Sequence, residues 1–271
     1  MLFALALLVS AAPTPAGIIT REVTYPAGEV TAKGYLATPD DGGKHPGVLI
    51  IHEWWGQNEY TRQRARMLAE LGYTALAVDM YGDGKTAKHP RDAGTYSSMV
   101  KNNQPEMKAR FRGAMKFLRA LDAVGPEQVA AIGYCFGGNV VLQMARNGQK
   151  NLAGVASFHG SLSLRDPNPP ARIKAKVLVC NGAEDPFVRP AEIEQFKELM
   201  KEHKVDHQFI NYPGAFHAFT NKNATEIGEK FGLSLQYNAK ADQASWTELT
   251  KFLAGLFKEE NGDDGDDTPP E

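Results

Sequence analysis

The stretch with the clearest chemical content is Gly133-Tyr134-Cys135-Phe136-Gly137-Gly138, lying between the apolar run ending at Ile132 and an amphipathic stretch that starts at Asn139. A thiol with glycine two positions before it and two after it has the pattern of a nucleophile elbow. In that sharp strand-to-helix turn the two backbones come so close that a Cβ has no room. The sulfur then projects above the sheet at the positive end of the following helix, a place that favours an anion. The plain alternative is a small, inert, buried cysteine. Glycines on both sides, with a second at 138, weigh against it.

A nucleophile of this kind needs a base and a group that orients the base, and on an α/β sheet both come later in the chain, in the order nucleophile, carboxylate, histidine. Asp185 follows the apolar run Lys176 to Cys180 in Asn-Gly-Ala-Glu-Asp-Pro-Phe-Val, and His217 follows the next run in Tyr-Pro-Gly-Ala-Phe-His-Ala-Phe. Alone, Asp185 reads as a turn residue before Pro186 and His217 as a loop histidine. Together, at the carboxyl ends of successive strands, they complete a Cys135, His217, Asp185 set. His217 takes the thiol proton or pairs with the thiolate, Asp185 holds the imidazole in one tautomer, and an acyl-thioester forms that water resolves. The oxyanion needs two backbone donors, for which the N–H of Phe136 and that of Trp54, in His52-Glu53-Trp54-Trp55-Gly56, are the candidates. Glu53, an acid close to the nucleophile, is either a proton acceptor for the thiol or a salt-bridged structural residue. Trp54 and Trp55 form an apolar pocket wall or pack the core. His52 and His159, near strand ends, read more readily as hydrogen-bonded structural residues than as pocket groups.

The elements that must position these groups are legible from periodicity. Arg21 to Thr38 alternates around Pro26-Ala27-Gly28 and predicts an antiparallel hairpin. Continuous apolar runs at Gly47 to Ile51, Thr74 to Val78, Gln128 to Ile132, Gly154 to Phe158 and Lys176 to Cys180 predict parallel strands buried on both faces, followed by His207 to Tyr212. Helical spacing marks Tyr60 to Leu71, Glu106 to Leu121, Asn139 to Ala145, Ala191 to His203 and Ala241 to Phe257. The expected fold is an α/β-hydrolase: a mostly parallel, doubly wound sheet opened by an antiparallel hairpin. Thr220 to Lys240, long for a connection and leaving directly from His217, is expected to border the mouth of the site.

With 30 Lys and Arg against 32 Asp and Glu, the net charge of −2 and the lack of a basic stripe argue against nucleic acid as a partner. The spacing of seven histidines and two cysteines matches no metal site, no cofactor is called for, and a thiol redox protein would need a Cys-x-x-Cys pair that is absent. Met1 to Ala16 is a short apolar run ending in small residues, too short to span a bilayer, and reads as a secretory signal with cleavage after Ala12 or Ala16. The expected organisation is therefore an exported chain: a signal at 1–16, one hydrolase domain at 17–258 and a solvated acidic tail at 259–271. Cys135 and Cys180 end strands that should have another between them, too far apart for a disulfide.

The blocks His-Glu-Trp-Trp-Gly (52 to 56), Gly-Tyr-Thr-Ala-Leu-Ala-Val-Asp-Met-Tyr-Gly (72 to 82) and Gly-Tyr-Cys-Phe-Gly-Gly, with the Asp185 and His217 segments, resemble the dienelactone hydrolase family from about Glu22 to Leu256. The resemblance implies a Cys nucleophile acting on a small ester or lactone, with Glu53 accepting the thiol proton when substrate binds. The chain departs from the family pattern at three positions. Asp83 stands where the family has a carboxylate-binding Arg, Ala218 where it has Ser, and Asn221 where it has Arg. With Asp83 and Ala218 lining the substrate site, the expected consequence is a preference for neutral over anionic substrates, Lys85 being the nearest cation to offset it. A non-catalytic binding protein on the same fold is the alternative, and the intact Cys135, Asp185 and His217 count against it.

Overall fold

The computed structural model describes residues 17–125, 129–163 and 173–258; the signal reading of 1–16 and the tail at 259–271 lie outside the described residues. Strands β1 (Ile18–Ala27) and β2 (Val30–Pro39) form the expected hairpin. The register pairs Ala27 with Val30, so the turn is Gly28-Glu29, overlapping the expected Pro26-Ala27-Gly28 turn only at Gly28, which takes φ 69°. Pro26 pairs with Thr31 inside β1. It is tolerated there because β1 is the edge of the sheet, where a residue without an N–H costs no ladder bond.

The rest of the chain alternates as β3 (Gly47–Ile51), α1 (Glu59–Glu70), β4 (Thr74–Val78), α2 (Pro90–Lys101), α3 (Gln104–Arg119), β5 (Val129–Tyr134), α4 (Phe136–Arg146), β6 (Leu152–Phe158), β7 (Lys176–Gly182), α5 (Pro190–Glu202), β8 (His207–Tyr212), α6 (Ala224–Phe231) and α7 (Ala239–Lys258). The eight strands run β1-β2-β4-β3-β5-β6-β7-β8; β1, β2 and β4 pair antiparallel, and every later pair is parallel.

The strands are uniformly apolar because both faces are covered. Along β3, Leu49 and Ile51 join Met107 and Phe111 of α3, Val140 and Val141 of α4 and Phe196 of α5 in one core, while Val48 and Ile50 join Leu68 of α1 and Leu249 and Leu253 of α7 in the other. The same alternation splits Val177 and Val179 from Leu178 and Cys180 on β7. Period-two alternation therefore sorts side chains to two dry faces rather than to core and solvent. Both cysteines are free, with β6 between the strands that carry them.

Helices α2 and α6 fall where no element was expected. Pro90 at the first position and His89, whose Nδ1 accepts the Arg91 N–H at 3.2 Å, start α2 as capping rules allow. Only Ala93, Ser97 and Val100 of its twelve residues are buried, too thin a stripe to register as helical periodicity. Gly232 at φ 65° ends α6, the left-handed stop that glycine takes without strain.

Candidate active site

Gly133 and Gly137 make the turn between β5 and α4 possible. A Cβ on Gly133 would lie 2.1 Å from the Gly137 carbonyl oxygen, and one on Gly137 would lie 2.3 Å from that of Ile51 on the neighbouring strand. Cys135, squeezed between them, adopts φ 52°, ψ −112°, a conformation that costs an L-residue energy and that the surrounding strands must enforce. Its N–H donates to Phe158 of β6 at 3.0 Å and the Gly137 N–H to His52 at 3.1 Å, tying the turn to both neighbouring strands. The thiol is left partly exposed at the sheet's carboxyl edge.

His217 and Asp185 arrive at that edge from β8 and β7. The imidazole Nδ1–H donates to Asp185 Oδ2 at 2.7 Å, and the other carboxylate oxygen accepts the Phe187 N–H at 2.9 Å, so the acid is held on both sides. Cys135 and His217 line the same cavity, so the sulfur lies on the imidazole's open side. The rings of Phe187 and His159 meet the imidazole edge-on, with centroids 5.0 and 5.2 Å away, and limit its rotation. Burial alone lowers the basicity of His217. The sulfur of Cys135 and the hydrogen-bonded, charged carboxylate of Asp185 outweigh it and push the pKa up to about 10. The fold thus brings the three residues read from the sequence to one edge of the sheet, with Asp185 bonded to His217 and His217 sharing a cavity with Cys135.

His52 is wholly buried and supports the loop after β3. Its Nε2 accepts the Met80 N–H at 3.2 Å, so the proton sits on Nδ1, which donates to the Glu53 carbonyl at 2.5 Å. Burial holds it neutral, lowering its pKa to about 4. With the Glu53 carbonyl held this way, and by the Gly56 N–H at 3.2 Å, the Trp54 N–H in the same trans peptide points away from the His52 ring. The Trp54 carbonyl accepts the Tyr81 hydroxyl at 2.8 Å. His159 is also structural: its Nε2 meets the Thr220 hydroxyl at 2.8 Å.

Glu53 is 3% exposed and its carboxylate Oε2 accepts from Asn221 Nδ2 at 2.7 Å. The Asn221 amide cannot turn round, because its Oδ1 is engaged by the Asn223 N–H at 3.0 Å. A neutral amide, rather than a cation, therefore faces this acid. Desolvation by burial pushes the Glu53 pKa up to about 7, against the lowering effects of Asn221, His217 and Arg64. In an unfolded chain the carboxyl loses its proton near the ordinary 4.5. The stability this group contributes is therefore fully present below about pH 4.5 and is lost as pH rises through about 7. Glu53→Gln should melt with the parent at pH 5 and above it at pH 8.5, by up to about 3 kcal/mol. Parallel melting curves across that range would show that Glu53 is not held protonated.

A cavity of about 220 Å³ opens over the thiol. Cys135, His217, Phe136 and Trp54 form its floor side, Phe187, Val188, Leu233 and Leu235 its apolar walls, and Ser97, Lys101, Asn139 and Ser161 its polar edge. Leu233 and Leu235 come from the segment 220–240, which does border the cavity but contains helix α6. Three residues expected to bind substrate do not line it. Trp55 packs against Trp54 and Phe231 and is 7% exposed. Asp83 is an exposed turn residue paired with Lys85 at 3.0 Å, in a loop whose N–H groups at Tyr81, Gly82 and Gly84 bind Asp79. Ala218 is buried at φ 60° directly after His217 and is not part of the cavity wall. The charge argument built on Asp83 and Ala218 therefore falls; the cation at this cavity is Lys101, on the helix the periodicity did not reveal. Phe187, Val188, Leu233 and Leu235 sit in connections without periodicity, and position next to Asp185 and His217 was the only signal available.

Sheet order, elbow and the two later loops define an α/β-hydrolase. Residues 32–257 match the Dienelactone hydrolase family, and the chain belongs to it. It is similar to Protein usf of Aquifex pyrophilus, 29% identical over 209 residues that span 76% of this chain and 89% of that one. A relative in Aquifex aeolicus carrying the name carboxymethylenebutenolidase is 28% identical over 87% of this chain and 98% of its own. Among solved structures, m3DLH is 35% identical with a TM-score of 0.83, covering 89% of this chain and 99% of that one. A dienelactone hydrolase-like promiscuous phosphotriesterase from metagenomic libraries is 32% identical with the same TM-score, over 88% and 98%. The chain is a carboxylic ester hydrolase of this family.

Proposed function

We propose that the protein hydrolyses a small ester or lactone with Cys135 as nucleophile, His217 as base and Asp185 as orienting acid. The observation that carries this is the 2.7 Å hydrogen bond from His217 to Asp185 Oδ2 beside the strained, partly exposed Cys135, with Cys135 and His217 lining one apolar cavity. The sulfur attacks the acyl carbon, and the negative charge that moves to the carbonyl oxygen is met by the N–H groups of Phe136 and Trp54. The Phe136 N–H is the first of α4 and has no intrahelical acceptor to lose. His217 gives a proton to the departing alkoxide, leaving an acyl-thioester. It then takes a proton from water as that water attacks the same carbon and the thiolate leaves. Glu53, titrating near neutrality beside this machinery, is the second group able to hold the thiol proton.

The test is hydrolysis of p-nitrophenyl butyrate during timed alkylation with iodoacetamide. Activity should fall in step with labelling of Cys135, while Cys180 stays unlabelled in the native protein. Cys180 is fully buried in the core, its sulfur 3.7 Å from the Tyr212 hydroxyl, and burial pushes its pKa up to about 12. Full activity after stoichiometric labelling of Cys135 would remove the thiol from the reaction.

A further inference from the structure

Beside the apolar cavity lies a second recess of about 340 Å³ whose lining, among the described residues, is polar. The two share Lys101, Asn139 and Ser161, so they meet at the polar edge of the site described above. Helix α2 supplies Ser98 and Lys101, Asn102 follows at its C-terminal cap, and Gln104 opens α3. Gln143 faces it from α4, two turns beyond Cys135, and Ser163 from the irregular segment after β6.

Two features separate this recess from an ordinary surface hollow. Gln143 is only 2% exposed, yet its Oε1 finds no hydrogen-bond partner among the described residues, and the same holds for Gln104 Oε1. A buried amide oxygen without a donor costs free energy that a bound donor recovers. Asn139, in the shared wall, is fixed: its Nδ2 donates to the carbonyls of Ser161 and Ser163 at 2.9 and 3.0 Å, which holds that wall rigid. The recess is thus lined by the side-chain amides of Asn102, Gln104 and Gln143, by serines and by Lys101, and it adjoins the cavity over Cys135.

We propose that this recess is a subsite for a hydroxyl-bearing, uncharged portion of the ester, a polyol or sugar-like group, while the neighbouring cavity takes the apolar portion. The inference rests on the ester hydrolase reading and specifies its substrate class. A hydroxyl donates to an amide oxygen and accepts from an ammonium or a second hydroxyl, so it answers every group in this wall. A carboxylate or phosphate is acceptor-only; it would satisfy Lys101 but meet the unpartnered oxygens of Gln104 and Gln143 with like partial charge. An alkyl group would bury all of them unpaired.

The experiment compares three butyrate esters whose alcohols have three carbons: propyl butyrate, glycerol monobutyrate and the ester of 3-hydroxypropanoate. The glycerol ester should be favoured in kcat/KM by about tenfold over the propyl ester, as one or two net hydrogen bonds allow. Gln143→Met should bring that ratio towards one, and so should Asn102→Ala at an exposed position that does not threaten folding. Binding to Cys135→Ala protein is measured separately by calorimetry, with the uncleavable amides N-(2,3-dihydroxypropyl)butanamide and N-propylbutanamide. Tighter binding of the dihydroxy amide supports the subsite even if no ester is cleaved, and that combination would sink the nucleophile assignment alone. Equal binding of the two amides, a glycerol-to-propyl ratio near one, a ratio unmoved by both variants, or a preference for the carboxylate ester would each overturn the subsite.

Discussion

Cys135→Ala and His217→Ala should each lower kcat/KM for p-nitrophenyl butyrate by at least about a thousandfold, roughly 4 kcal/mol of transition-state stabilisation. The two losses should be of similar size and should not add in the double variant, because a nucleophile without its base and a base without its nucleophile are equally idle. Structurally Cys135→Ala is mild because the thiol is partly exposed, so its melting temperature should stay close to the parent's, whereas His217→Ala leaves the buried Asp185 carboxylate without its partner and should also melt lower. Asp185→Asn should also be costly. Its amide offers the His217 Nδ1–H a competing donor at the 2.7 Å contact and so removes the tautomer preference that Asp185 enforces. Near-parental turnover in Cys135→Ala or His217→Ala would end the thioester mechanism, whatever the fate of the fold.

The second large effect is on folding. Gly133→Ala should destabilise the protein by more than about 4 kcal/mol, a large part of the 5 to 15 kcal/mol that a domain possesses, and the variant should accumulate as insoluble chain. The added Cβ would lie 2.1 Å from the Gly137 oxygen and 2.3 Å from its carbonyl carbon, backbone atoms at the start of α4 that cannot swing aside. Relief would require pulling α4 away from β5, which would open the core around Val140 and Val141 and displace Cys135. Gly94→Ala is the control: it lies within α2, its Cβ would meet nothing within 4 Å, and alanine is the better helix former, so a gain of about 0.5 to 1 kcal/mol is expected. Denaturant midpoints of the two variants settle the contrast. A soluble Gly133→Ala protein with the parental midpoint would mean that the elbow is not as tight as the packing requires.

The architecture was legible because its causes are local or nearly so. Two-sided burial writes β3, β4 and β5 to β7 as unbroken apolar runs, and the crossover rule gives the connections between them one hand; the strand order itself came from the folded chain. The elbow was legible for the same reason, since the steric demand that excludes Cβ atoms at 133 and 137 acts between residues close together in the chain or on adjacent strands. Asp185 and His217 followed from chain order. What the residues alone could not decide is which side chains face the substrate. Asp83 turns outward to Lys85 because Asp79 binds three backbone N–H groups of its loop, and Ala218, buried at φ 60° after His217, stays off the cavity wall. Lys101, Ser97 and Gln143 reach the site from helices whose contact with it depends on how α2 and α4 pack across the sheet edge, a relation spanning dozens of residues. The same holds for Glu53. Its acid stands out in the sequence, but its pKa of about 7 comes from burial, which outweighs the lowering bond from Asn221, 168 positions away, and only the folded chain brings those together.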